Sequence, residues 1–212
     1  MTSPLEVIIV GGGTAGWMAA NLMAKKWGKG IANITLIESP DIPIVGVGEG
    51  STPYLKKLFD TLDIAEKDWM PKCNATYKNG ILFNQWSTMV GHQQYFHPFA
   101  SELDQQNLLD FEQSTRQKRN GHDVIAHPDK YFFMTALTKQ AKLAKPPINF
   151  PYENLYGYHF DSHLLGGFLK SHAVNLSVTH IQAKVEAVIQ HTTGDISSVK
   201  LDNGDEVFGD LF

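Results

Sequence analysis

Cysteine, charge of one sign and long apolar runs are all scarce in this sequence. One cysteine in 212 residues excludes a disulfide scaffold and a metal cage built of thiolates alone. A formal charge of −4 excludes a nucleic-acid surface built on a basic face. No apolar run approaches the ~18 residues that span a bilayer, and no basic segment precedes the first run. We therefore expect a cytoplasmic protein with neither a nucleic acid nor a membrane as partner.

The first forty residues carry the pattern of a β-α-β unit. Residues 7–10 and 34–37 are short apolar runs, typical of buried parallel strands. Between them, apolar residues recur at helical spacing from Ala15 to Met23, and Gly28 predicts the end of that helix. A strand, a helix and a second strand in this order indicate an α/β protein.

The turn between the first strand and the helix has the form GxGxxG. Gly11 permits the tight turn, Gly13 lets the backbone approach a pyrophosphate, and Gly16 lets the helix pack closely. Glu38 follows at the end of the second strand, where a carboxylate accepts both hydroxyls of an adenosine ribose and disfavours a 2′-phosphate. The pattern predicts a dinucleotide site and leaves FAD and NAD both open.

A second glycine-rich loop at residues 46–53 favours FAD, the larger cofactor, although its composition equally fits a surface loop.

The rest of the chain predicts further helices and strands. We expect Pro53 to begin a helix, a short helix near 65–71, a strand within 76–86 that includes Gly80, and irregular chain over 91–101. Helices are predicted over 107–118 and 129–142, then a strand at 156–160 and a helix capped by Asp161. The tail predicts antiparallel strands near 176–181, 184–191, 196–202 and 206–212.

Histidine is the residue type that raises the question of a metal site. The closest pairs among the nine histidines are His92 with His97 and His159 with His163, and neither has a third ligand at a recognisable spacing. We therefore predict no metal centre. Cys73 has no partner for a redox role and is expected to be a small packed residue.

Several segments together resemble the flavin-dependent tryptophan halogenases. Residues 10–20 (VGGGTAGWMAA) match the opening of that family nearly letter for letter, and Trp17, directly after the last glycine, is the most specific feature. Residues 34–39 (ITLIES) and 46–49 (GVGE) resemble its second strand and flavin loop. Residues 77–81 and 83–86 are similar to the segment that holds its catalytic lysine, and residues 97–99 and 159–164 resemble further stretches.

The resemblance covers residues 5–212 and implies a fold. That fold is an α/β, Rossmann-like FAD-binding fold of the glutathione-reductase-like type with an antiparallel β-meander. Residues 1–40 would be the nucleotide-binding unit, 41–175 helical and substrate-side insertions, and 176–212 the meander and a return strand. The family's Trp-x-Trp-x-Ile-Pro stretch is missing, so we expect a truncated chain with roughly the first 40% of the usual length.

The resemblance also implies an oxidoreductase activity. FAD reduced by a separate flavin reductase would react with oxygen and with chloride or bromide to yield hypohalous acid. Lys78, the catalytic residue in this reading, would hold the halogen and direct it at tryptophan, indole or another electron-rich ring. A homodimer is expected. The residues implied in FAD binding are Gly11, Gly13, Thr14, Ala15, Gly16, Glu38, Ser39, Val47, Gly48, Glu49, Gly50 and Val185; Gly50 stands where most members have alanine.

Two other functions stay open at this point. An FAD-dependent aromatic monooxygenase would share the cofactor but would not need Lys78. A nucleotide-binding fragment without catalysis would fit a chain that lacks the second half of the family's length.

Overall fold

The structure is a computed structural model that describes residues 3–42, 46–143 and 145–212. The chain forms two compact units. The first unit contains the described residues up to Glu49, together with Leu58–Ala75 and Phe160–Phe212. The second unit contains Gly50–Lys57 and Thr76–His159. The three-part division expected from the sequence stays a prediction. No helix within the described ranges is both long and apolar enough to cross a membrane.

Strands and helices alternate at the start of the chain, and the last four elements are consecutive strands. The strands are β1 Leu5–Val10, β2 Ala32–Glu38, β3 Gly48–Gly50, β4 Thr76–Lys78, β5 Gly80–Asn84, β6 Gln94–Pro98, β7 Gly157–Asp161, β8 Thr179–Gln182, β9 Val185–Gln190, β10 Ile196–Leu201 and β11 Glu206–Phe208. The helices are α1 Thr14–Trp27, α2 Tyr54–Thr61, α3 Glu66–Trp69, α4 Gln105–Arg119, α5 Phe133–Lys139 and α6 Ser162–Asn175.

A parallel sheet of order β1-β2-β8 organises the first unit. β1 and β2 pair in parallel with Val10 opposite Ile37, as the β-α-β pattern predicts. Leu211 adds an isolated parallel bridge to Val7 on the other edge of β1. The prediction of four antiparallel strands in the tail is wrong for the first of them, because β8 pairs with β2 in parallel. β8 follows helix α6, and a strand that follows a crossover helix returns to its sheet in the parallel sense.

The remaining tail strands form the predicted antiparallel meander, in the order β11-β10-β9. β9 and β10 end close to their predicted limits because Gly194 and Gly204 adopt the positive φ angles that tight turns between strands require. The strand predicted over 206–212 is shorter than expected, since β11 ends at Phe208 and Leu211 instead bridges Val7 of β1. The meander packs against the sheet through a shared apolar cluster that includes Ile8, Ile37 and Val199.

Helices α1 and α6 pack together in the first unit, and a buried asparagine joins them. Asn21 is fully buried, and its amide donates to the backbone oxygens of Trp17 at 2.7 Å and Leu169 at 2.8 Å. His172 Nδ1 lies 2.7 Å from Asn21 Oδ1. Asp161 accepts a hydrogen bond from the backbone N–H of Leu164, which confirms the predicted cap of α6.

The second unit corrects three sequence predictions. Where one strand that includes Gly80 is expected within 76–86, the structure has two strands separated by Asn79, whose amide donates to Thr138 Oγ1 and to the carbonyl of Lys142. Residues 91–101 are not irregular throughout, since they contain β6, which pairs with β5. A Cβ on Gly80 would lie 2.3 Å from the His97 carbonyl, so this close pairing requires glycine.

The third correction concerns the helix predicted over 129–142. A short 3-10 turn, Pro128–Lys130, comes first, and α5 does not begin until Phe133. Asp129 lies in that turn and accepts a hydrogen bond from the backbone N–H of Phe96 at the neighbouring strand. A long-range partner therefore fixes this residue outside the helix, which periodicity along the chain does not reveal.

Candidate functional site

The glycine loop of the first unit lies between β1 and α1. Gly11 has a φ of +121°, which residues with a side chain rarely adopt, and its N–H donates to the carbonyl of Ile37 in β2. Gly13 caps α1 in an extended conformation, with φ −68° and ψ 170°. Thr14 and Ala15 open the helix, so its unpaired N–H groups and positive dipole end lie at this turn.

The other three glycines of this loop differ in whether the protein's own packing requires them. A Cβ on Gly16 would lie 2.0 Å from the Gly11 carbonyl oxygen, and one on Gly12 would lie 1.6 Å from Glu38 Oε2. A Cβ on Gly13 would meet no atom of the protein within 4 Å. Gly12 and Gly16 are therefore required by the protein's own packing. No contact within 4 Å requires glycine at position 13. The backbone surface there is open to a phosphate at the N-terminus of the helix.

Glu38, at the end of β2, has partners that the sequence did not reveal. Lys170 Nζ donates to Glu38 Oε1 at 2.7 Å, and His180 Nε2 lies 2.8 Å from the same oxygen. The ring of Trp17, only 1% exposed, meets the His180 ring edge-on at 5.3 Å between centroids, and Lys170 Nζ lies 5.9 Å from its centre. Side chains of α6 and β8 therefore meet at the carboxylate of β2, and Trp17 of α1 packs against both of them.

The second glycine-rich loop lies partly outside the described residues, since its approach at 43–45 is not described. Val47 is exposed, and its carbonyl accepts hydrogen bonds from the N–H and hydroxyl of Ser162. Gly48 and Glu49 are exposed in the short strand β3. Ser39 Oγ accepts from the N–H of Asp41. Val185 lies in β9 and packs against the core cluster, and its role in cofactor binding stays a prediction, as do those of Ser39 and the loop residues.

Lys78 lies in the second unit, at the end of β4 and opposite Gly157 of β7. Its Nζ lies 2.8 Å from the position that a Cβ on Gly50 would take, and His159 Nδ1 lies 3.2 Å from that same position. The ring centre of Phe99 is 5.8 Å from Nζ. Glycine at position 50 leaves the lysine amine room beside the His159 imidazole, whereas a Cβ on Gly157 would lie 2.5 Å from the Ser51 carbonyl oxygen.

His159 is a member of this site that sequence reasoning missed. Partial burial and the neighbouring charge of Lys78 lower the pKa of His159 below its ordinary value, so that the imidazole is neutral near pH 7. Its position two residues after Gly157 in β7 sets it beside Lys78 through the strand pairing. The signal available in the sequence was its place in the 159–164 stretch, which pointed to the family and not to this contact.

A cleft of about 540 Å³ lies in the second unit on the side of Phe99. Its size is typical of sites for small organic ligands. Its lining is mostly apolar or aromatic and consists of Thr52, Pro53, Tyr54, Lys57, His97, Pro98, Phe99, Ala100 and Leu155. Across the described ranges, no three His, Cys, Asp or Glu side chains are grouped to hold a metal ion.

Cys73 is buried in the first unit. Burial, with a contribution from the charge of Asp161, raises the pKa of its thiol to about 11. The thiolate that redox or nucleophilic chemistry needs is therefore scarce at neutral pH.

The fold and the glycine loop define an α/β protein with a dinucleotide-binding β-α-β unit. Comparison with known proteins is more specific, because the profile of the family described as tryptophan halogenase matches residues 6–212. The tryptophan 7-halogenase RebH of Lentzea aerocolonigenes is 35% identical over 98% of this chain and 41% of its own length. The chain belongs to the tryptophan halogenase family.

Solved structures agree with this family assignment. A flavin-dependent halogenase from Xanthomonas campestris aligns with 100% of this chain at a TM-score of 0.81 and 31% identity. The tryptophan 6-halogenase SttH from Streptomyces toxytricini aligns at a TM-score of 0.79 and 32% identity. The chain has the α/β fold of these halogenases, and it spans 42% and 43% of their lengths.

Proposed function

We propose that this chain is the N-terminal part of an FAD-dependent halogenase that acts on tryptophan, indole or a related electron-rich ring. The observation that carries the proposal is the arrangement at Lys78, whose amine lies beside the His159 imidazole and the Phe99 ring. An aromatic hydroxylase has no need for such an amine. Halide, oxygen and a transient flavin reductase complete the proposed reaction.

The residues present in the first unit fit FAD. Gly13 offers an open backbone surface at the N-terminus of α1, and Glu38 offers a carboxylate at the end of β2. Reduced FAD would supply two electrons that activate oxygen, and oxygen would be the oxidant that converts halide to hypohalous acid. We propose the glutathione-reductase-like subtype for this unit, with a cytoplasmic location and a homodimer as further parts of the hypothesis.

Lys78 has two ways to handle an electrophilic halogen. A neutral amine at Nζ takes the halogen from hypohalous acid and releases water, which leaves a haloamine on the lysine. An ammonium instead donates a hydrogen bond to the acid and holds it. In both cases the cleft beside Phe99 supplies an aromatic wall against which a planar substrate can stack.

The test requires a longer protein that also contains the part of the sequence that the relatives have beyond their match to this chain. Lys78→Ala in that protein should abolish ring halogenation while the consumption of reduced FAD and oxygen continues. Lys200→Ala, an exposed residue of β10, is the matched control and should leave both rates unchanged. A Lys78→Ala variant that halogenates indole at the normal rate would show that the assigned role is wrong.

A nucleotide-binding protein without catalysis is a second candidate for the 212 residues by themselves. This candidate is favoured because the chain covers only 41% of the length of RebH and 43% of the length of SttH. We expect these residues alone to bind FAD weakly and to form no brominated indole with reduced FAD, oxygen and bromide. Product at a rate comparable to that of a relative would remove this candidate.

A further inference from the structure

Lys170 donates a hydrogen bond to the carboxylate that ends the β-α-β unit, and the His180 ring lies against the same carboxylate. The Glu38 side chain is 17% exposed and that of His180 15%, so both are largely withdrawn from water, whereas Lys170 at 34% is partly exposed. A carboxylate in such surroundings needs charged or hydrogen-bonding partners. Lys170 arrives from α6 and His180 from β8, more than a hundred residues away in sequence.

The partners occupy one oxygen of the carboxylate and leave the other. Both Lys170 Nζ and His180 Nε2 lie within 2.8 Å of Oε1. Oε2 lies over Gly12, where a Cβ would be 1.6 Å away. The plane of the carboxylate is therefore set by contacts on both sides, with Oε2 turned toward the glycine loop.

Trp17 packs against both Lys170 and His180. Its buried ring contacts the His180 ring edge-on and lies under the Lys170 ammonium. A cation over an indole face is held electrostatically as well as by contact. The tryptophan that follows the last glycine thus has a structural task on the nucleotide side of the protein.

We propose that Lys170 is a positioning residue that holds the Glu38 carboxylate ready to accept the ribose hydroxyls of the adenosine half of the cofactor. This inference rests on the proposed nucleotide site in the first unit. A pre-oriented acceptor loses less freedom when the ligand binds, so the affinity gained from the ribose hydroxyls depends on the lysine. Neither the glycine motif nor the acid alone predicts such a dependence.

The experiment pairs a change in the protein with a change in the ligand. Binding of ADP and of 2′-deoxy-ADP is measured by calorimetry for the unaltered chain and for Lys170→Met, Lys170→Arg and the control Lys200→Met. The unaltered chain should prefer ADP by about tenfold or more, as expected for a hydrogen bond to a charged group. Lys170→Met should reduce that preference by at least about fivefold, mainly through weaker ADP binding.

Two features of the result separate positioning from a general structural effect. Lys170→Arg, which keeps a cationic donor, should restore most of the preference, and Lys200→Met should not alter it. An equal loss of affinity for both nucleotides in Lys170→Met, or no loss for either, would overturn the inference. So would an unaltered chain that binds both nucleotides equally.

Failure of the proposed function gives a different pattern. An unaltered chain that binds neither ADP nor FAD would refute the nucleotide site, and this inference with it. A protein that shows the ligand-dependent effect of Lys170 but never halogenates would keep this inference and refute only the proposed reaction.

Discussion

Replacement of Gly13 by alanine should separate cofactor binding from stability. Its φ of −68° and ψ of 170° are open to alanine, and a Cβ there would contact no protein atom within 4 Å. Removing glycine's freedom from the unfolded chain stabilises by about 0.4–1 kcal/mol. Alanine is the poorer helix N-cap by a similar amount, so the two effects nearly cancel. We expect a change in Tm within about 2 °C.

The same methyl group should weaken FAD binding strongly. It would lie where the proposed pyrophosphate approaches the backbone, and would lengthen hydrogen bonds from the N–H groups at the start of α1. Loss of one hydrogen bond to a charged group costs about 1.5–3 kcal/mol, which is roughly tenfold to a hundredfold in Kd. Flavin fluorescence titration gives the Kd, and thermal unfolding without FAD gives the Tm.

Gly16→Ala is the matched control, because its Cβ would lie 2.0 Å from the Gly11 carbonyl oxygen. It should lower stability by about 1–3 kcal/mol and lower affinity along with it. The reasoning would be refuted if Gly13→Ala bound FAD as tightly as the unaltered chain. It would also be refuted if Gly13→Ala lost as much stability as Gly16→Ala.

Three further predictions concern stability, titration and reactivity. Asn21→Ala should lower the free energy of unfolding in urea by about 2–3 kcal/mol, since it removes the buried amide's hydrogen bonds to the carbonyl of Leu169 in α6 and to the carbonyl of Trp17 within α1. A loss below about 0.5 kcal/mol, measured from the same urea curves, would contradict this. His159 should titrate below pH 6.5 by NMR, and Lys78→Met should raise its midpoint because the nearby charge is removed. Since burial also lowers the pKa of His172, the unfolded chain binds more protons than the folded one just below pH 6.5, and stability should fall as pH falls through that range. Cys73, whose burial raises its thiol pKa to about 11, should react with a disulfide reagent at pH 8 only after the protein is unfolded; rapid reaction of the native protein would refute its inertness.

Features built from neighbouring residues could be predicted from the sequence. Three such features are confirmed: the β-α-β unit, the glycine turn and the Asp161 cap. Each depends on contacts between residues that are close in sequence or that belong to one strand-helix-strand unit. The meander after Val185 was likewise visible, because turn residues separate alternating strands.

Predictions failed where a distant partner decides the local conformation. Asn79 ends β4 because its amide is held by Thr138 and Lys142, and Gly80 begins a different pairing with β6. β8 is parallel to β2 because helix α6 returns the chain to the sheet in the same direction. Periodicity along the chain carries no information about either partner.

The same distinction between local and long-range contacts applies to the candidate site. The sequence alone determined which chemical groups are available: the open backbone at Gly13, the acid Glu38 and the amine Lys78. Only the tertiary structure decided their surroundings, with Lys170 and His180 at Glu38 and with His159 beside Lys78. The physical reason is that a side chain's chemistry follows from its type. Its orientation and charge state follow from neighbours that strand pairing and helix packing bring from distant parts of the chain.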